Sequence, residues 1–372
     1  MTTATVTNSP PKITVIFLLY SEAGYVPGLF RAILAQRHPT LPNQSDWLEV
    51  MFVDNGSKDN TLAVMQEEMK RAGSPPNYRI EAISPNAGIA GAMNRAFNKV
   101  TTPFALSCHC DCLFGREDYV SRMLELLARH PEAGAITGQP AIPKKGHIPF
   151  PEKVNLIVNL MDIFPAESRE NDGLVPVGFN EGRCDGFRLE ALRSVNFYDT
   201  TLKLAGEDQV MSARMRQNGY QIYQAPELPY MLSVSNDQDS LMKLARHQRV
   251  FGRAHPYIVL KTRKAVTGLT GKAAGSNRKA RTFLRLLQVG SAVGCLATIA
   301  ALAFAQFLLA AIIVFAIWLA KQVLFARHMR TVGLTVKEWF VFYSIQPALD
   351  VSYTIGLING IWLAFFRSKP IA

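Results

Sequence analysis

Leu286–Ala320 runs for 35 residues without one charged side chain. A run of that length belongs in a bilayer or in the core of a large protein. As one straight α-helix it would be about 50 Å long, well beyond the roughly 30 Å hydrocarbon core of a membrane. It therefore reads as a hairpin of two short helices over residues 286–320. Lys321, Arg327, Arg330 and Lys337 follow it, and a hairpin returns them to the side of Lys261–Arg285, which holds eight Lys/Arg and no acid. Trp339–Phe366 is a third apolar segment, broken only by Asp350. An acid in such a segment faces protein, a polar cavity or an interface, so a lipid headgroup and a basic loop are both open as its partner.

Charge is spread as unevenly as hydropathy. Residues 1–260 carry 26 basic and 27 acidic side chains, so the net +11 of the chain comes from its last 112 residues. A basic surplus beside apolar helices points to a membrane surface rather than to nucleic acid. Met1–Pro11 is small and polar, a flexible leader rather than a secretory signal. Of the five cysteines, Cys108, Cys110 and Cys112 alternate along one stretch and cannot pair locally, which fits reduced, buried thiols in a cytosolic domain. The expected division is a leader at 1–11, a globular domain at 12–260, a basic linker at 261–285 and a membrane domain at 286–372. Localisation follows as multi-pass membrane with the globular domain in the cytosol.

Within 12–260, strands alternate with helices. Ile13–Leu19 and Leu48–Val53 are apolar runs of strand length, followed by helical periodicity over Val26–Gln36 and Thr61–Ala72. Tyr78–Ile83, a helix near Ala90–Lys99, a strand over Phe104–Leu113 and a helix over Glu117–Arg129 continue the pattern. This alternation predicts a parallel, doubly wound sheet. Beyond it come a strand at Ala135–Ile142, a Pro/Lys-rich loop at Pro143–Pro151 and a helix at Val154–Ile163. Gly182–Phe187 is a strand and Glu190–Val195 a short helix. The loop Asp199–Gly206 leads to a helix at Gln209–Asn218, then come a strand at Tyr220–Ala225 and an amphipathic helix at Ser240–Phe251. In an extended Phe104–Leu113, His109 and Asp111 share one face and the three cysteines the other. That puts the carboxylate outside the carboxyl ends of the strands, where open α/β sheets keep ligands, although a turn residue would sit there too. Asp54, likewise, can serve as a helix cap, and Glu207-Asp208 suits a helix N-terminus on dipole grounds alone.

Seven stretches together resemble the inverting family 2 glycosyltransferases with the GT-A fold. They are ITVIFLLYSE (13–22), EVMFVDNGSKDNT (49–61), NAGIAGAMNRAF (86–97), CHCDC (108–112), GEDQ (206–209), NGYQIYQAP (218–226) and RHQRVFGRA (246–254). The resemblance covers Ile13–Arg253 and implies a Rossmann-like, mostly parallel sheet with flanking helices, followed by C-terminal transmembrane helices. It implies a nucleotide diphospho-sugar donor, with Tyr20 and Glu22 flanking base and ribose, Asp54 accepting from the base, and Gly88 and Asn94 in the donor loop. Asp111 would contact a divalent cation, Mg²⁺ or Mn²⁺, while His109 either ligates it or hydrogen-bonds a phosphate. Asp208 would be the general base and Glu207 would orient it or bind acceptor hydroxyls. His247, Gln248 and Arg253 would lie near the acceptor or the diphosphate.

Departures from the family pattern are Ser21 for Asn, Asn55 for a second Asp, and His109 for an acid or Asn. The Gln-x-x-Arg-Trp of processive synthases is not matched. Transfer from such a donor passes through an oxocarbenium-like state, so it needs a base for the acceptor hydroxyl and charge stabilisation for the leaving diphosphate. Hard cations with oxygen ligands suit the second task; basic side chains are the metal-free alternative. Family members with C-terminal membrane helices build lipid-linked or exported polysaccharide, which implies a lipid-linked saccharide acceptor and the bilayer as partners. Polyprenyl phosphate or a glycolipid is the alternative acceptor, and a degenerate sugar-nucleotide-binding protein the non-enzyme alternative.

Overall fold

The computed structural model describes residues 12–142, 148, 150–158, 164–165, 173–202, 205–232, 240–266, 283–294 and 307–366. The first half alternates as expected: β1 (Ile13–Leu19), α1 (Val26–Leu34), β2 (Leu48–Asp54), α2 (Thr61–Arg71), β3 (Tyr78–Ala82), α3 (Gly88–Asn98), β4 (Phe104–His109). These four strands are parallel, in the order β3-β2-β1-β4. Both faces of the apolar runs are covered, as parallel strands require. Phe17 and Phe52 face one layer, where Phe30 of α1 stacks on Phe52 at 4.1 Å between ring centroids. Ile16, Met51 and Val53 face the other, with Phe97 of α3.

The second half departs from a parallel sheet. After β5 (Cys112–Phe114), α4 (Tyr119–Arg129) and β6 (Ala133–Ile142), the chain passes through α5 (Phe150–Val158) and the two-residue strands β7 (Phe164–Pro165) and β8 (Val175–Pro176). β9 (Cys184–Arg188) runs antiparallel to both β4 and β6, so it starts at the carboxyl edge of β4. Gly186 in β9 lets α4 approach closely: a Cβ there would lie 2.5 Å from the Met123 sulfur. α6 (Leu189–Ser194), α7 (Glu207–Gln217) and β10 (Gln221–Leu232) complete one mixed sheet, β3-β2-β1-β4-β9-β6-β10-β5.

The strand expected over Phe104–Leu113 stops at His109. Cys110-Asp111 is a turn, and Cys112 begins β5, which pairs with β10. Strict alternation fails there: Cys108 and Cys112 are buried while Cys110 is half-buried. The four described cysteines are free, with Cys108 and Cys184 sulfurs 3.7 Å apart across the β4–β9 ladder.

α8 (Leu241–Val266) extends fifteen residues past the expected end at Phe251 and so past the boundary drawn at residue 260. With α5, α9 (Phe283–Gly294), α10 (Phe307–Thr331) and α11 (Val336–Phe366) it shares one apolar cluster, including Val154, Leu244, Leu284, Phe325 and Phe342. α8 and α11 cross almost backbone to backbone. A Cβ on Gly356 would lie 2.0 Å from the Arg249 carbonyl oxygen, and one on Gly360 2.2 Å from that of Arg253. Only glycine permits this approach, the logic of small residues four apart at helix–helix contacts.

Lys321, Arg327 and Arg330, expected in a loop, continue α10. Asp350 takes one of the partners open to it in sequence, a base: Lys321 Nζ lies 2.5 Å from its Oδ2, and both side chains are buried. Gln322 and Gln346 bond beside them at 3.0 Å. With its polar residues turned inward, α10 leaves Ile312, Phe315, Leu319 and Val323 outside, and α11 leaves Ile355, Ile358 and Trp362. Among the described residues one helix segment, Ala311–Thr331, is long and apolar enough to cross a membrane. That is fewer than the three apolar segments read from sequence. The leader, most of the basic linker, the turn of the 286–320 hairpin and the end of the Val154–Ile163 helix lie outside the described residues.

Candidate active site

The functional candidates gather at the carboxyl edge of β1, β2 and β4 and the start of β9. On the β1–β2 side, short polar loops are stitched to one another. Tyr20 is 40% exposed. Ser21 holds φ at +58°, a left-handed conformation few non-glycine residues adopt. Its N–H donates to Ser57 Oγ at 2.9 Å, and its own Oγ accepts from the Lys58 N–H at 3.1 Å. The Glu22 N–H donates to Thr61 Oγ1 at 2.8 Å. Asp54 is buried at the end of β2, its carboxylate accepting from the Ser57 N–H at 3.3 Å. Asn55 ties this turn to the next loop by accepting from the Ala87 N–H at 2.9 Å. Gly88, at φ +72°, donates its N–H to Asn86 Oδ1 at 2.8 Å and opens α3. Asn94 is placed differently. Its amide bonds both ways to the Tyr198 backbone at 2.9 Å, a strut between α3 and the loop that leads to α7.

At the end of β4, His109 Nδ1 lies 3.9 Å from Asp111 Oδ1. Burial and the Arg183 guanidinium hold the imidazole pKa below its ordinary value, against the pull of Asp111. The neutral ring keeps a lone pair available for a cation. Among the described residues no three His, Cys, Asp or Glu side chains group as a metal site. The chain thus offers one carboxylate and one imidazole. That set fits a hard divalent ion that takes its remaining ligands from substrate phosphate and water, with the nitrogen favouring Mn²⁺ over Mg²⁺.

The second acidic group opens α7. Gly206, at φ +86°, turns the chain into the helix, and Glu207 and Asp208 follow in its first turn. Asp208 Oδ1 accepts from the Gln209 N–H at 2.7 Å. Burial raises the pKa of both carboxyls, and Glu207, Asp185 and Glu181 add like-charge repulsion at Asp208. A Cβ on Gly182 would lie 3.3 Å from Asp208 Oδ2, so the loop before β9 runs against this carboxylate. The next residue of that loop, Arg183, accepts the His109 N–H on its carbonyl at 2.8 Å. Two adjacent loop residues thus join the His109–Asp111 turn to Asp208. In sequence Gly182 and Arg183 read as the start of a strand over Gly182–Phe187 with no role in the site; the strand begins at Cys184.

On α8, His247 packs edge-on against Phe251 at 4.7 Å, and burial, Arg183 and Arg285 push its pKa down to about 4. Gln248 is buried. Arg253 sits six residues on, about 120° around the helix from His247, with its carbonyl against Gly360 of α11. The structure therefore does not gather the three α8 candidates on one face.

Comparison with known proteins agrees with this geometry. The family model "Glycosyl transferase family 2" matches residues 14–195, stopping short of Glu207. The poly-beta-1,6-N-acetyl-D-glucosamine synthase of Staphylococcus epidermidis is 24% identical over 221 residues, 59% of this chain and 50% of that protein. The synthase of Staphylococcus aureus (strain MSSA476) is 22% identical over 214 residues, 58% of this chain and 48% of that protein. The chain thus spans about half the length of the curated relatives it matches. Among solved structures, the mannosyltransferase PcManGT from Pyrobaculum calidifontis, in complex with GDP-Man and Mn²⁺, superposes with a TM-score of 0.55 at 17% identity. That superposition covers 95% of this chain and 88% of the other, a likeness of fold: the mixed α/β sheet is of the GT-A type. Residues 14–195 thus match a family 2 glycosyltransferase domain, the segment that holds β1 to β4 and the His109–Asp111 turn.

Proposed function

We propose that the protein is a membrane-attached, inverting glycosyltransferase that moves a sugar from a nucleotide diphospho-sugar to a lipid-linked saccharide in polysaccharide or glycoconjugate synthesis. The observation that carries this reading is the meeting of two acidic elements across the Gly182-Arg183 loop, Asp111 on one side and Asp208 on the other. Tyr20, Glu22, Asp54 and Gly88 line the donor side. Asp111, with His109, holds a divalent cation whose charge offsets that of the leaving diphosphate. The GDP-Man and Mn²⁺ bound by the mannosyltransferase support that choice of ligands.

Asp208 takes the proton of the acceptor hydroxyl. Its raised pKa makes the carboxylate a stronger base than an ordinary aspartate, which favours proton abstraction near neutral pH. Attack from the Asp208 side, opposite the diphosphate, inverts the anomeric carbon in one displacement. Glu207 orients the acceptor, while His247 and Gln248 border it and Arg253 stabilises α8 against α11. The exposed apolar faces of α10 and α11 enter the bilayer, and the eight basic residues in the sequence 261–285 favour an anionic cytosolic surface. The staphylococcal relatives are named as poly-beta-1,6-N-acetyl-D-glucosamine synthases, so N-acetylglucosamine donors are the first to test.

The test incubates membranes containing the full chain with a panel of radiolabelled nucleotide sugars, with and without EDTA. Label should enter the lipid extract from one donor and stop with EDTA. Absence of transfer from every donor to any lipid would overturn the proposal. Label on a bare lipid phosphate would replace the saccharide acceptor with polyprenyl phosphate.

A further inference from the structure

Asp185 is a carboxylate with no exposed surface in the middle of β9, which has four strands on one side and three on the other along the sheet's main path, and it lies outside the chemistry assigned above. An apolar side chain would serve the fold at lower desolvation cost. Its hydrogen bonds lead to the proposed base. Asn180 Nδ2 donates to Asp185 Oδ2 at 2.7 Å. On α7, the Ser212 hydroxyl donates to Asn180 Oδ1 at 2.5 Å, and the Asn180 N–H donates back to Ser212 Oγ at 3.2 Å. All three residues are fully buried. Ser212 stands four residues after Asp208, one helical turn along the same face. Asn180 begins the loop whose Gly182 lies against the Asp208 carboxylate.

We propose that Asp185, Asn180 and Ser212 form a positioning relay that clamps the 180–183 loop to α7 and thereby sets the placement of Asp208 for proton transfer. The inference rests on Asp208 being the base. None of the three touches substrate: Ser212 fixes the helix, Asn180 fixes the loop, and Asp185 orients the Asn180 amide. The relay also sets charge. Around Asp208 stand Glu207 on α7, Glu181 on the loop, Asp185 on β9 and the Tyr198 hydroxyl ahead of α7. Burial pushes the Asp185 pKa up to about 6, so at neutral pH it is ionised and repels the Asp208 carboxylate.

The two functions separate by mutation. Ser212→Ala cuts the clamp and leaves every charge in place. Asp185→Asn keeps an acceptor for the Asn180 amide and removes the charge. In the full chain, Ser212→Ala should lower kcat about ten- to hundredfold, leave the donor KM unchanged and leave the acid limb of the pH profile where it is. Asp185→Asn should move that limb to lower pH by about half a unit to one unit. Both variants are compared at equal donor-binding capacity, measured by equilibrium binding of the nucleotide diphosphate, so that loss of folded protein is not read as loss of rate. Wild-type kcat in Ser212→Ala together with an unmoved limb in Asp185→Asn overturns the relay. Asp208→Asn separates the premise: wild-type transfer there removes the base assignment itself, whereas an inactive Asp208→Asn beside two normal relay variants removes the relay alone.

Discussion

The two sides of the crevice are built by different means. The β1–β2–β3 side is made of loops that directly follow their strands and bond to the next loop, Ser21 to Ser57 and Asn55 to Ala87. The proposed acceptor side is assembled from β9, the start of α7 and α8, segments distant in sequence, and α8 is fixed in turn by α11. It also concentrates the buried Asp185 and the half-buried Glu207 and Asp208, all with raised pKa values. One side is a rigid shelf of satisfied polar groups; the other stores electrostatic cost where a base is needed.

Breaking the acceptor side from behind should have the largest effect. Gly356→Val drives a side chain into the Arg249 carbonyl, 2.0 Å from the added Cβ. It should cost on the order of 4 kcal/mol of stability and detach α8 from α11, read as a lowered melting temperature and loss of transfer with nucleotide binding retained.

Asp185→Asn should be stabilising, and only at higher pH. The folded pKa of Asp185 stands at about 6, above its unfolded value near 3.8. A group so raised contributes its stability below the unfolded pKa and loses it as pH rises through the folded one. Between pH 4 and pH 6 the native chain should therefore lose about 3 kcal/mol that the variant keeps. Urea midpoints at pH 4 and pH 8 check it: the variant should gain at pH 8 alone.

On the donor side, Asp111→Asn should lower kcat/KM about a hundredfold, a loss of about 3 kcal/mol in transition-state stabilisation, and weaken Mn²⁺ activation. Asn55→Ala should have the smallest effect, about 1 kcal/mol of stability with a raised donor KM, because only the side chain's neutral bonds to the 86–88 loop are lost, two of them long, and nothing shifts in charge. Equal effects of Asn55→Ala and Asp185→Asn on the pH profile would erase the contrast between the two sides.

The same contrast explains what sequence made legible. β1, β2 and β4 are apolar runs of strand length bracketed by turns, and their partners follow in order, so the sheet's first half was readable from the chain alone. The motifs holding Asp111 and Asp208 were readable as spacings. β9 was visible as a strand, but its antiparallel direction is set by its pairing with β4 and β6, partners that the chain order does not show. The turn at Cys110-Asp111 was hidden because the partner of β5 is β10, more than a hundred residues on. Lys321 looked like a loop residue because Asp350, which draws it into the helix bundle, lies 29 positions away. Asp185 falls within the strand read over Gly182–Phe187, but its bond to Asn180 and the packing of Met123 over Gly186 appear only in the fold.

The central claim is that carboxylates on opposite sides of one short loop serve a single transfer, Asp208 as its base. It is tested most directly by Asp208→Asn in the full chain, with nucleotide binding and sugar transfer measured on the same preparation. Binding within about twofold of the native protein and transfer reduced at least a thousandfold is the predicted result. Transfer at the native rate, with binding intact, would contradict it.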